Sequence, residues 1–475
     1  MWHRELDPIE TIDAAERLSS LRGMAFLDSA MRHPVLGRYS YLAAEPFGTL
    51  VVREGAARWN GAPQEGPPLE VLRALLDRYR CETAPRLPPF QGGCIGYFAY
   101  DFARRLETLA PPKRNGAQCD EVALHFYDVV LAFDHQQGRC WLVASGFPEI
   151  DPKRRELRAR ARLDQVAGQL KRRPEPARAD RHAESAIAWE SNFSRQTYMA
   201  AVARVKEYIL SGDIYQANIS QRFVATLPTN FEHWSFYRKL RRENPATFAA
   251  FLSFGDLSLA SSSPERFLRL QDGRVETRPI KGTEKRFADV KLDQEAALRL
   301  QNSAKDRAEN IMIVDLMRND LSRVCAPGTV EAPLLCALES YASVHHLVSV
   351  VTGRLRDGAD AIDLFQACFP GGSVTGAPKI RSMDIIAELE EQARQVYCGA
   401  IGYLGFDGSL DTNIAIRTVI LRDGAAIFQA GGGVTLMSDP AQEYEETLAK
   451  AQRIFAAFEG ARLAGRWELA TNPCS

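Results

Sequence analysis

The sequence predicts a large protein of mixed helices and strands, in the α/β or α+β class, without a strict strand–helix–strand repeat. Its 475 residues can bury an extensive core, as one body or as two or three domains. Apolar, strand-like runs follow one another directly at 247–254 and 257–261, and helix and strand patterns alternate irregularly elsewhere. Neighbouring strands with no helix between them argue against a regular βαβ architecture.

The bulk composition is typical of a soluble globular enzyme. Charged residues make up 25% of the chain, hydrophobic residues 45%, and the formal net charge is -1. This balance favours neither nucleic acid nor a membrane surface as a partner, and no apolar run reaches the about 18–20 residues of a membrane span. The N-terminus lacks the apolar core of a secretory signal. The 9 scattered cysteines predict reduced thiols in a cytoplasmic protein.

Four segments of the N-terminal part have clear patterns. Residues 24–29 and 39–43 are typical of strands. Residues 92–98 form an apolar, glycine-rich run, as expected of a strand whose backbone closely approaches a neighbour. Residues 67–79 begin with a proline pair and carry leucines on one side, which predicts a helix.

A basic stretch separates this part from the rest of the chain. Lysines and arginines between 153 and 173 indicate either a nucleic-acid patch or a solvated helix face followed by a linker. Interspersed acidic residues and the lack of aromatic residues favour the second interpretation. We predict an N-terminal subdomain over 1–170, a linker over 171–190 and a C-terminal domain over 191–465. At the start of the last, Ser194 can cap a helix.

The segment Pro-Ile-Lys-Gly-Thr at 279–283 is the most informative in the chain. It places Lys281 between a strand-like run and a glycine turn. A lysine amine is a nucleophile only when neutral, so burial or a nearby cation would have to disfavour its charged form. Arg278 and Lys285 are candidates for that cation. The alternative is an ordinary surface lysine in a turn.

Glu265 is a candidate general acid. It follows an apolar strand, and Pro264 stiffens the backbone just before it. A carboxyl group buried in such a place can have a raised pKa and donate a proton. The same Ser-Pro-Glu pattern is also typical of a helix start, with serine as the cap.

Two acidic pairs have helical spacing. Asp306 and Glu309, and likewise Glu443 and Glu446, are separated by three residues in predicted helices, so each pair projects from one helix face. If the two faces meet, they supply four carboxylates, and oxygen-only coordination suits Mg²⁺. The alternative is two amphipathic helices with solvated acidic side chains.

Two glycine-rich segments and a histidine pair complete the candidate residues. The three glycines at 431–433 follow a predicted strand, where backbone N–H groups can approach an anion. The segment 370–379 either presents N–H groups to an anion or makes a tight turn before a helix that opens at Pro378. His345 and His346 fall in a strand-like run and therefore face opposite sides, so one of them can face a cavity.

Together, these residues resemble the chorismate-utilising enzymes over residues 194–458. The motifs that carry the resemblance occur at 213–216, 263–267, 279–283, 305–310, 315–321 and 443–447. The resemblance implies an α+β fold of stacked, antiparallel-rich sheets flanked by helices, with the active site between the sheets. It also implies that the N-terminal part is similar to that of anthranilate synthase component I.

Lys281 separates the subgroups of this family. Anthranilate synthase large subunits typically carry alanine there, whereas aminodeoxychorismate synthase component I carries Pro-Ile-Lys-Gly-Thr. The chain therefore resembles the second subgroup, transaminase-class enzymes of p-aminobenzoate and folate biosynthesis, with the first as the alternative. Gln216 agrees, because isochorismate-forming and salicylate-forming relatives typically have a water-activating lysine at its position.

The resemblance implies a mechanism that requires Mg²⁺. Glu309 and Glu446 match the ligands of an ion that holds the ring carboxylate of chorismate, and Asp306 and Glu443 match outer positions. Glu265 would protonate the departing 4-hydroxyl while Lys281 attacks C2. Ammonia from a separate glutamine amidotransferase would then add at C4 and expel the lysine. Other matched positions, which bind substrate, are Gln216, Gly282, Thr283, His346, Tyr397, Arg417, Gly431, Gly432 and Gly433.

Some relatives bind tryptophan in a pocket of the N-terminal part. The matching positions here are Ser29, Leu36, Gly37, Arg38, Tyr39, Thr247, Phe248 and Ala249. Tryptophan at this place would be a feedback ligand or a structural ligand, or the pocket would not bind it. No nucleic acid and no membrane is implied as a partner.

Overall fold

Two large β-sheets, stacked face to face and flanked by helices, form the protein in this computed structural model. The structure describes residues 1–31, 33, 36–114, 119–172, 187–341, 344–458 and 462–463. Its α-helices are α1 (Thr11–Leu18), α2 (Pro68–Arg78), α3 (Pro152–Lys171), α4 (Arg195–Leu210), α5 (His233–Glu243), α6 (Val290–Asn302), α7 (Ala304–Ser322), α8 (Ala361–Cys368), α9 (Lys379–Glu390) and α10 (Pro440–Ala457).

The strands are mostly short. They are β1 (Trp2–Leu6), β2 (Ala25–Asp28), β3 (Tyr39–Ala43), β4 (Gly48–Arg53), β5 (Ala56–Trp59), β6 (Ala62–Pro63), β7 (Gly93–Phe98), β8 (Val122–Tyr127), β9 (Val129–Asp134), β10 (Arg139–Ala144), β11 (Ala188–Ser191), β12 (Gln216–Thr226), β13 (Phe248–Phe254), β14 (Leu257–Ser263), β15 (Arg266–Gln271), β16 (Arg274–Thr277), β17 (Ile280–Lys285), β18 (Glu331–Ser340), β19 (Val344–Arg354), β20 (Gly376–Ala377), β21 (Ala400–Gly405), β22 (Leu410–Ile414), β23 (Thr418–Arg422), β24 (Ala425–Val434) and β25 (Arg462–Leu463).

The larger sheet has the order β1-β10-β9-β3-β2-β13-β14-β23-β24-β12-β11-β25, with β20 also paired to β12. The smaller sheet has the order β17-β19-β16-β15-β22-β21-β7-β8-β4-β5-β6, with β18 paired to β19. Among the strands that the structure describes, β11 and β25 are the one parallel pair. The expected antiparallel-rich α+β fold is therefore confirmed.

The alternation of side chains along β9 shows how the layers are held together. Val129, Leu131 and Phe133 pack under the helices of the larger sheet, whereas Val130 and Ala132 pack between the two sheets. All five are buried. Because a strand in this position buries both faces, it is hydrophobic throughout, and each fully buried valine, leucine or phenylalanine contributes about 1.5–3 kcal/mol.

The local predictions for the N-terminal part are confirmed. The segments 24–29, 39–43, 67–79 and 92–98 correspond to β2, β3, α2 and β7. The basic stretch forms α3, which is more than a solvated face. Arg162 is 9% exposed and pairs at 3.2 Å with Asp128, which lies between β8 and β9. This ion pair therefore helps to hold α3 against the β-sheet.

The N-terminal and C-terminal parts share both sheets. Strand β2 pairs with β13 in the larger sheet, and β7 pairs with β21 in the smaller one. The division at 171–190 stays a prediction, and its residues 173–186 lie outside the described residues. Within the described part of the chain, no helix has the length and apolar content to cross a membrane.

Candidate active site

Lys281 lies on β17, the edge strand of the smaller sheet, and is 9% exposed. Its Nζ donates a hydrogen bond to the carbonyl oxygen of Ser373 at 2.9 Å and lies 3.1 Å from Oε1 of Glu309. A surface lysine is thus excluded. The prediction that Arg278 or Lys285 is the cation next to this amine is also wrong. Arg278 pairs with a glutamate of β18, and Lys285 is exposed. The charged neighbour of the amine is a carboxylate.

Gly282 lets the backbone turn immediately after the lysine. Its φ is +74°, in the left-handed region that favours glycine. A Cβ atom there would lie 2.8 Å from a methyl carbon of Leu300 and 3.0 Å from the side chain of Asp306. Both the backbone conformation and the packing therefore require glycine, and Asp306 is held next to the strand that carries Lys281.

The two histidines of β19 face opposite sides, as the strand pattern predicts. His345 lies 3.1 Å from Oδ1 of Asp293, whereas Nδ1 of His346 lies 2.9 Å from Oγ1 of Thr283. Burial, followed by the charge of Arg417, lowers the pKa of His346 to about 4. His346 is therefore neutral at physiological pH, and it fixes the hydroxyl of Thr283 next to the lysine strand.

Glu265 lies where the chain crosses from β14 in the larger sheet to β15 in the smaller one, so the helix-start interpretation is wrong. It is 5% exposed. Burial raises the pKa of Glu265, and a hydrogen bond from the Ser373 side chain and the charge of Lys281 offset only part of that effect. The group therefore holds its proton to a higher pH than an exposed glutamate, as a general acid requires.

Ser373 was not among the residues predicted for the site. Its carbonyl accepts from Lys281, and its side chain bonds to Glu265. The sequence left the segment 370–379 as an anion cradle or a tight turn. The structure shows a short 3₁₀ turn at Gly372–Val374, followed by α9 immediately after Pro378, so the predicted helix start is confirmed. No sequence signal marks a residue that acts partly through its backbone carbonyl.

The two acidic helix faces do meet, because Lys305 of α7 reaches Glu443 of α10. Three of the four carboxylates are paired with lysines. The pairs are Glu309 with Lys281 at 3.1 Å, Glu443 with Lys305 at 3.0 Å and Glu446 with Lys450 at 2.7 Å. Glu309 and Glu443 are buried. The i, i+4 spacing of Glu446 and Lys450 is the sequence signal that could have identified one pair.

Glu446 has the clearest electrostatic signature of these acids. Its partial burial opposes ionisation, but the ammonium groups of Lys450, Lys305 and Lys281 outweigh that effect, so its pKa is lowered. The carboxylate is therefore ionised, and its charge balance depends on nearby cations.

Gly431, Gly432 and Gly433 lie inside β24, paired with β12, and the prediction of a loop after a strand is wrong. Their lack of side chains makes room for the carboxylates. A Cβ atom on Gly432 would lie 3.1 Å from Oε2 of Glu443 and 3.5 Å from Oε1 of Glu446. A Cβ atom on Gly433 would lie 2.1 Å from Oε1 of Glu309. The acids therefore approach the end of one strand from its two faces.

These residues fit a divalent metal by the chemistry of their donors. Carboxylate oxygens are the ligands that Mg²⁺ prefers, and the glycines of β24 let three of them converge on one strand end. Among the described residues, no three histidine, cysteine, aspartate or glutamate side chains are already grouped tightly enough to hold a metal. In the structure, lysine ammonium groups balance the negative charge of these carboxylates, and a bound Mg²⁺ would take over that role.

Arg417 is the cation suited to bind an anionic substrate. Its φ of +50° is unusual for a residue with a side chain, and such strain is concentrated at functional sites. Burial, followed by the charge of Arg453, lowers its pKa to about 10. No described carboxylate pairs with its guanidinium, which leaves it available for a bidentate contact. Tyr397, another predicted substrate-binding residue, is buried. The centre of its ring lies 5.6 Å from the guanidinium of Arg394.

Arg394 is a further residue that the sequence did not reveal. It is 1% exposed and pairs with Glu390 at 2.7 Å. It also donates to the backbone carbonyls of Val374 at 2.8 Å and Asn218 at 2.6 Å. The guanidinium therefore joins α9, the segment that carries Ser373, and β12. Its position in an irregular connection gives no periodic pattern from which burial could be predicted.

The predicted tryptophan positions surround a separate cavity of about 240 Å³. Ser29, Gly37, Arg38, Tyr39, Thr247, Phe248 and Ala249 line it. Leu36 does not line it and is itself buried, so this predicted position is wrong. At the cavity wall, Arg266 pairs with Asp411 at 3.0 Å, and its guanidinium lies 4.9 Å from the centre of the Phe248 ring. The cavity is large enough for an aromatic amino acid.

The chain is similar to known proteins in both sequence and fold. An aminodeoxychorismate synthase component 1 from Salmonella typhimurium is 42% identical over 434 residues, covering 90% of this chain and 91% of the relative. An anthranilate synthase component 1 from Pseudomonas aeruginosa is 39% identical, covering 93% and 91%. The crystal structure of anthranilate synthase component I from Streptococcus pneumoniae superimposes with a TM-score of 0.79 at 32% identity, covering 88% of this chain and 92% of that one.

The family profile of chorismate binding enzymes matches residues 34–456 of this chain. This span contains every residue of the candidate site described above. The chain therefore belongs to the chorismate binding enzyme family.

Proposed function

We propose that the chain is component I of an aminodeoxychorismate synthase and converts chorismate and ammonia into 4-amino-4-deoxychorismate. The observation that carries this proposal is a buried lysine, Lys281, held between Glu309 and Ser373 and close in the site to the acid Glu265. Curated relatives of that name, at 40–42% identity over most of the chain, support it. The second candidate is an anthranilate synthase large subunit, which the relative at 39% identity favours.

The proposed first step divides a difficult displacement into two easier ones. The neutral amine of Lys281 attacks C2 of the ring, the two ring double bonds shift, and the bond from C4 to its hydroxyl breaks. Glu265 gives its proton to that oxygen, which leaves as water. A lysine amine attacks only in its neutral form, and the carboxylate of Glu309, 3.1 Å from Nζ, is placed to accept the proton that the amine gives up.

Mg²⁺ would be held by Glu309 and Glu446, with Asp306 and Glu443 around them, and when bound it would neutralise the ring carboxylate of chorismate. The remaining work falls to the chain itself. Arg417 orients a substrate carboxylate through a bidentate contact. Neutral His346 holds Thr283 in place. The paired lysines keep the acids from repelling one another before substrate arrives.

The nitrogen donor in this proposal is a glutamine amidotransferase subunit, so the overall reaction is of the transaminase type. The name "component 1" of the relatives implies a second component in those enzymes. The product serves p-aminobenzoate and folate biosynthesis. All eight described cysteines are free, which supports a reducing compartment such as the cytoplasm. Tryptophan is the proposed ligand of the separate cavity, on the basis of its size and aromatic wall.

Product analysis tests the proposal. The protein is incubated with chorismate, Mg²⁺ and an ammonium salt, and the products are separated by chromatography. We expect aminodeoxychorismate, and fluorescent anthranilate as the main product would favour the second candidate. A parallel incubation without a nitrogen donor, followed by peptide mass spectrometry, should place a chorismate-derived mass on Lys281.

A further inference from the structure

Asn310 is a polar residue at a buried position of α7, next in sequence to Glu309. It is 0% exposed. The same helix buries Ile313, Val314, Met317 and Leu321 in an apolar cluster. An amide among such residues costs free energy unless both of its polar atoms are hydrogen-bonded. Buried asparagines of this kind can fix the alignment of a helix against its neighbour, as they do in coiled coils. The position of Asn310 therefore indicates a role in alignment rather than in packing.

Both polar atoms of the Asn310 side chain bond to β19. Nδ2 donates to the carbonyl oxygen of Leu347 at 3.2 Å, and Oδ1 accepts from the hydroxyl of Ser349. The hydroxyl oxygen of Ser349 accepts in turn from the backbone N–H of Cys336 in β18 at 2.9 Å. Ser349 is 0% exposed, so solvent does not reach its side chain. A displacement of α7 along the strand would therefore leave buried polar atoms without hydrogen bonds, which is costly.

Strand β19 holds the segment that contains Lys281 at the same two residues. Leu347 is the direct partner of Lys281 in the antiparallel pairing of β17 with β19. The backbone N–H of Ser349 donates to the carbonyl oxygen of Pro279 at 3.2 Å. Asn310 therefore contacts β19 at the two points where this strand holds the Pro-Ile-Lys-Gly-Thr segment, and it links α7 to β17 through one intervening strand.

The alignment of α7 decides where Glu309 lies. Its carboxylate is 3.1 Å from Nζ of Lys281. An α-helix rises about 1.5 Å and turns about 100° for each residue, so a shift by a single position would carry Glu309 away from the amine. The apolar contacts of Ile313 and Leu321 are not directional and do not prevent such a shift. The hydrogen bonds of Asn310 depend on distance and angle, so they do prevent it.

We propose that Asn310 is a positioning residue, which fixes the register of α7 against β19 and β17 so that Glu309 meets the amine of Lys281. It acts through Glu309 and Leu347 and takes no part in bond formation. Its effect on turnover rests on the proposed function, in which Lys281 is the nucleophile. Without the amide, α7 would still pack on the sheet through its apolar residues, but the carboxylate and the amine would no longer be held in contact.

The first test measures the position of the amine without any turnover. Asn310→Leu keeps a similar side-chain volume and removes both polar atoms. In protein without substrate, lysines are methylated with formaldehyde and a mild reductant, and peptide mass spectrometry gives the rate for each of them. We expect Lys281 to react about tenfold or more faster in the variant, because its amine loses a charge-assisted contact with Glu309. The exposed Lys285 should react at the same rate in both proteins.

The second test is steady-state kinetics with chorismate, Mg²⁺ and ammonium chloride, at a temperature well below the thermal melt of each variant. We expect Asn310→Leu to lower kcat ~10²-fold, the order of loss that a misplacement of about 1 Å produces. A residue that only stabilises the fold would lower the melting temperature and leave the kcat of the folded protein unchanged. Leu321→Ala is the matched control, because Leu321 is a 0% exposed residue of the same helix. It should lower the melting temperature and retain both kcat and the rate of Lys281 methylation.

Ser349→Ala removes one of the two hydrogen bonds and replaces Asn310→Leu if the leucine variant is unfolded. We expect it to lower kcat about tenfold. An unchanged kcat in the folded variant would overturn the inference, as would unchanged methylation of Lys281 or an equal fall of kcat in Leu321→Ala. A failure of the proposed function is distinguishable, because the unmodified protein would then form no aminodeoxychorismate, whereas methylation of Lys281 would still respond to the change at Asn310.

Discussion

The carbonyl oxygen of Ser373 accepts a hydrogen bond from Nζ of Lys281 at 2.9 Å. The side chain of the same serine bonds to Glu265, so one residue holds the proposed nucleophile and the proposed acid at fixed positions. The next residue, Val374, is itself held by the buried guanidinium of Arg394. The geometry of the site therefore depends on contacts that extend well beyond the groups that react.

Replacing the nucleophile should abolish turnover. Lys281→Ala removes the amine, and we expect kcat to fall ~10³-fold or more, as for other covalent nucleophiles. Lys285→Ala is the control, because that lysine lies on the same strand and is exposed. Its kcat should match that of the unmodified protein. Near-normal turnover in Lys281→Ala would rule out the covalent route, provided that its melting temperature is retained.

The acid should govern one limb of the pH profile. Glu265 acts when protonated, and burial raises its pKa, so kcat/KM should fall as the pH rises through that raised value. Glu265→Gln cannot donate the proton. We expect this limb to disappear and kcat to drop ~10²–10⁴-fold. The measurement is the pH dependence of kcat/KM for both proteins, and a limb that persists in the variant would assign it to another group.

The glycine at 433 should be necessary for activity. In Gly433→Ala the new methyl group would lie 2.1 Å from Oε1 of Glu309, so the carboxylate and Gln216 must move. A displacement of about 1 Å in a catalytic site can cost ~10²-fold, and we expect a loss of that order in kcat/KM.

Gly168→Ala is the matched control for this change. Gly168 lies in α3, and nothing lies within 4 Å of a Cβ atom built there. Alanine in a helix interior should raise the free energy of unfolding by about 0.5–1 kcal/mol and leave activity unchanged. Equal activity in the two variants would show that Glu309 tolerates displacement.

The buried ion pair of Arg394 with Glu390 should be a strong determinant of stability. Arg394→Met leaves Glu390 buried without its partner, and breaking such pairs typically costs about 3–5 kcal/mol. Denaturant unfolding should show this loss. Arg381→Met, which breaks an exposed pair with Asp213, serves as the control and should change stability little. Similar losses in both variants would mean that burial does not decide the effect.

Local structure was predictable because it depends on neighbouring residues. The strand at 39–43 follows from its strand-like residues. The cap at Ser194 follows from a hydroxyl at the right distance from a free N–H group. The resemblance to a family placed Lys281, Glu265 and Glu309 in one site, and the structure brings them together.

The remaining features depend on contacts between distant parts of the chain. Nothing near Lys281 in sequence shows that its partner is Glu309, and the local cations Arg278 and Lys285 suggested the opposite. The glycines of β24 show the same limit. A run of three glycines is typical of a loop, but pairing with β12 over ten residues overrides that preference. Register between strands is set by packing of the whole sheet.

The shared sheets have a consequence for how this protein is made. Because β2 needs β13 as its neighbour and β7 needs β21, the first residues to leave the ribosome cannot complete either sheet until much of the chain has followed. Their unpaired edges stay open during synthesis, and such edges are prone to aggregate. A fragment that ends near residue 170 should therefore be insoluble when expressed alone, and co-expression of the two halves should be needed to recover folded protein.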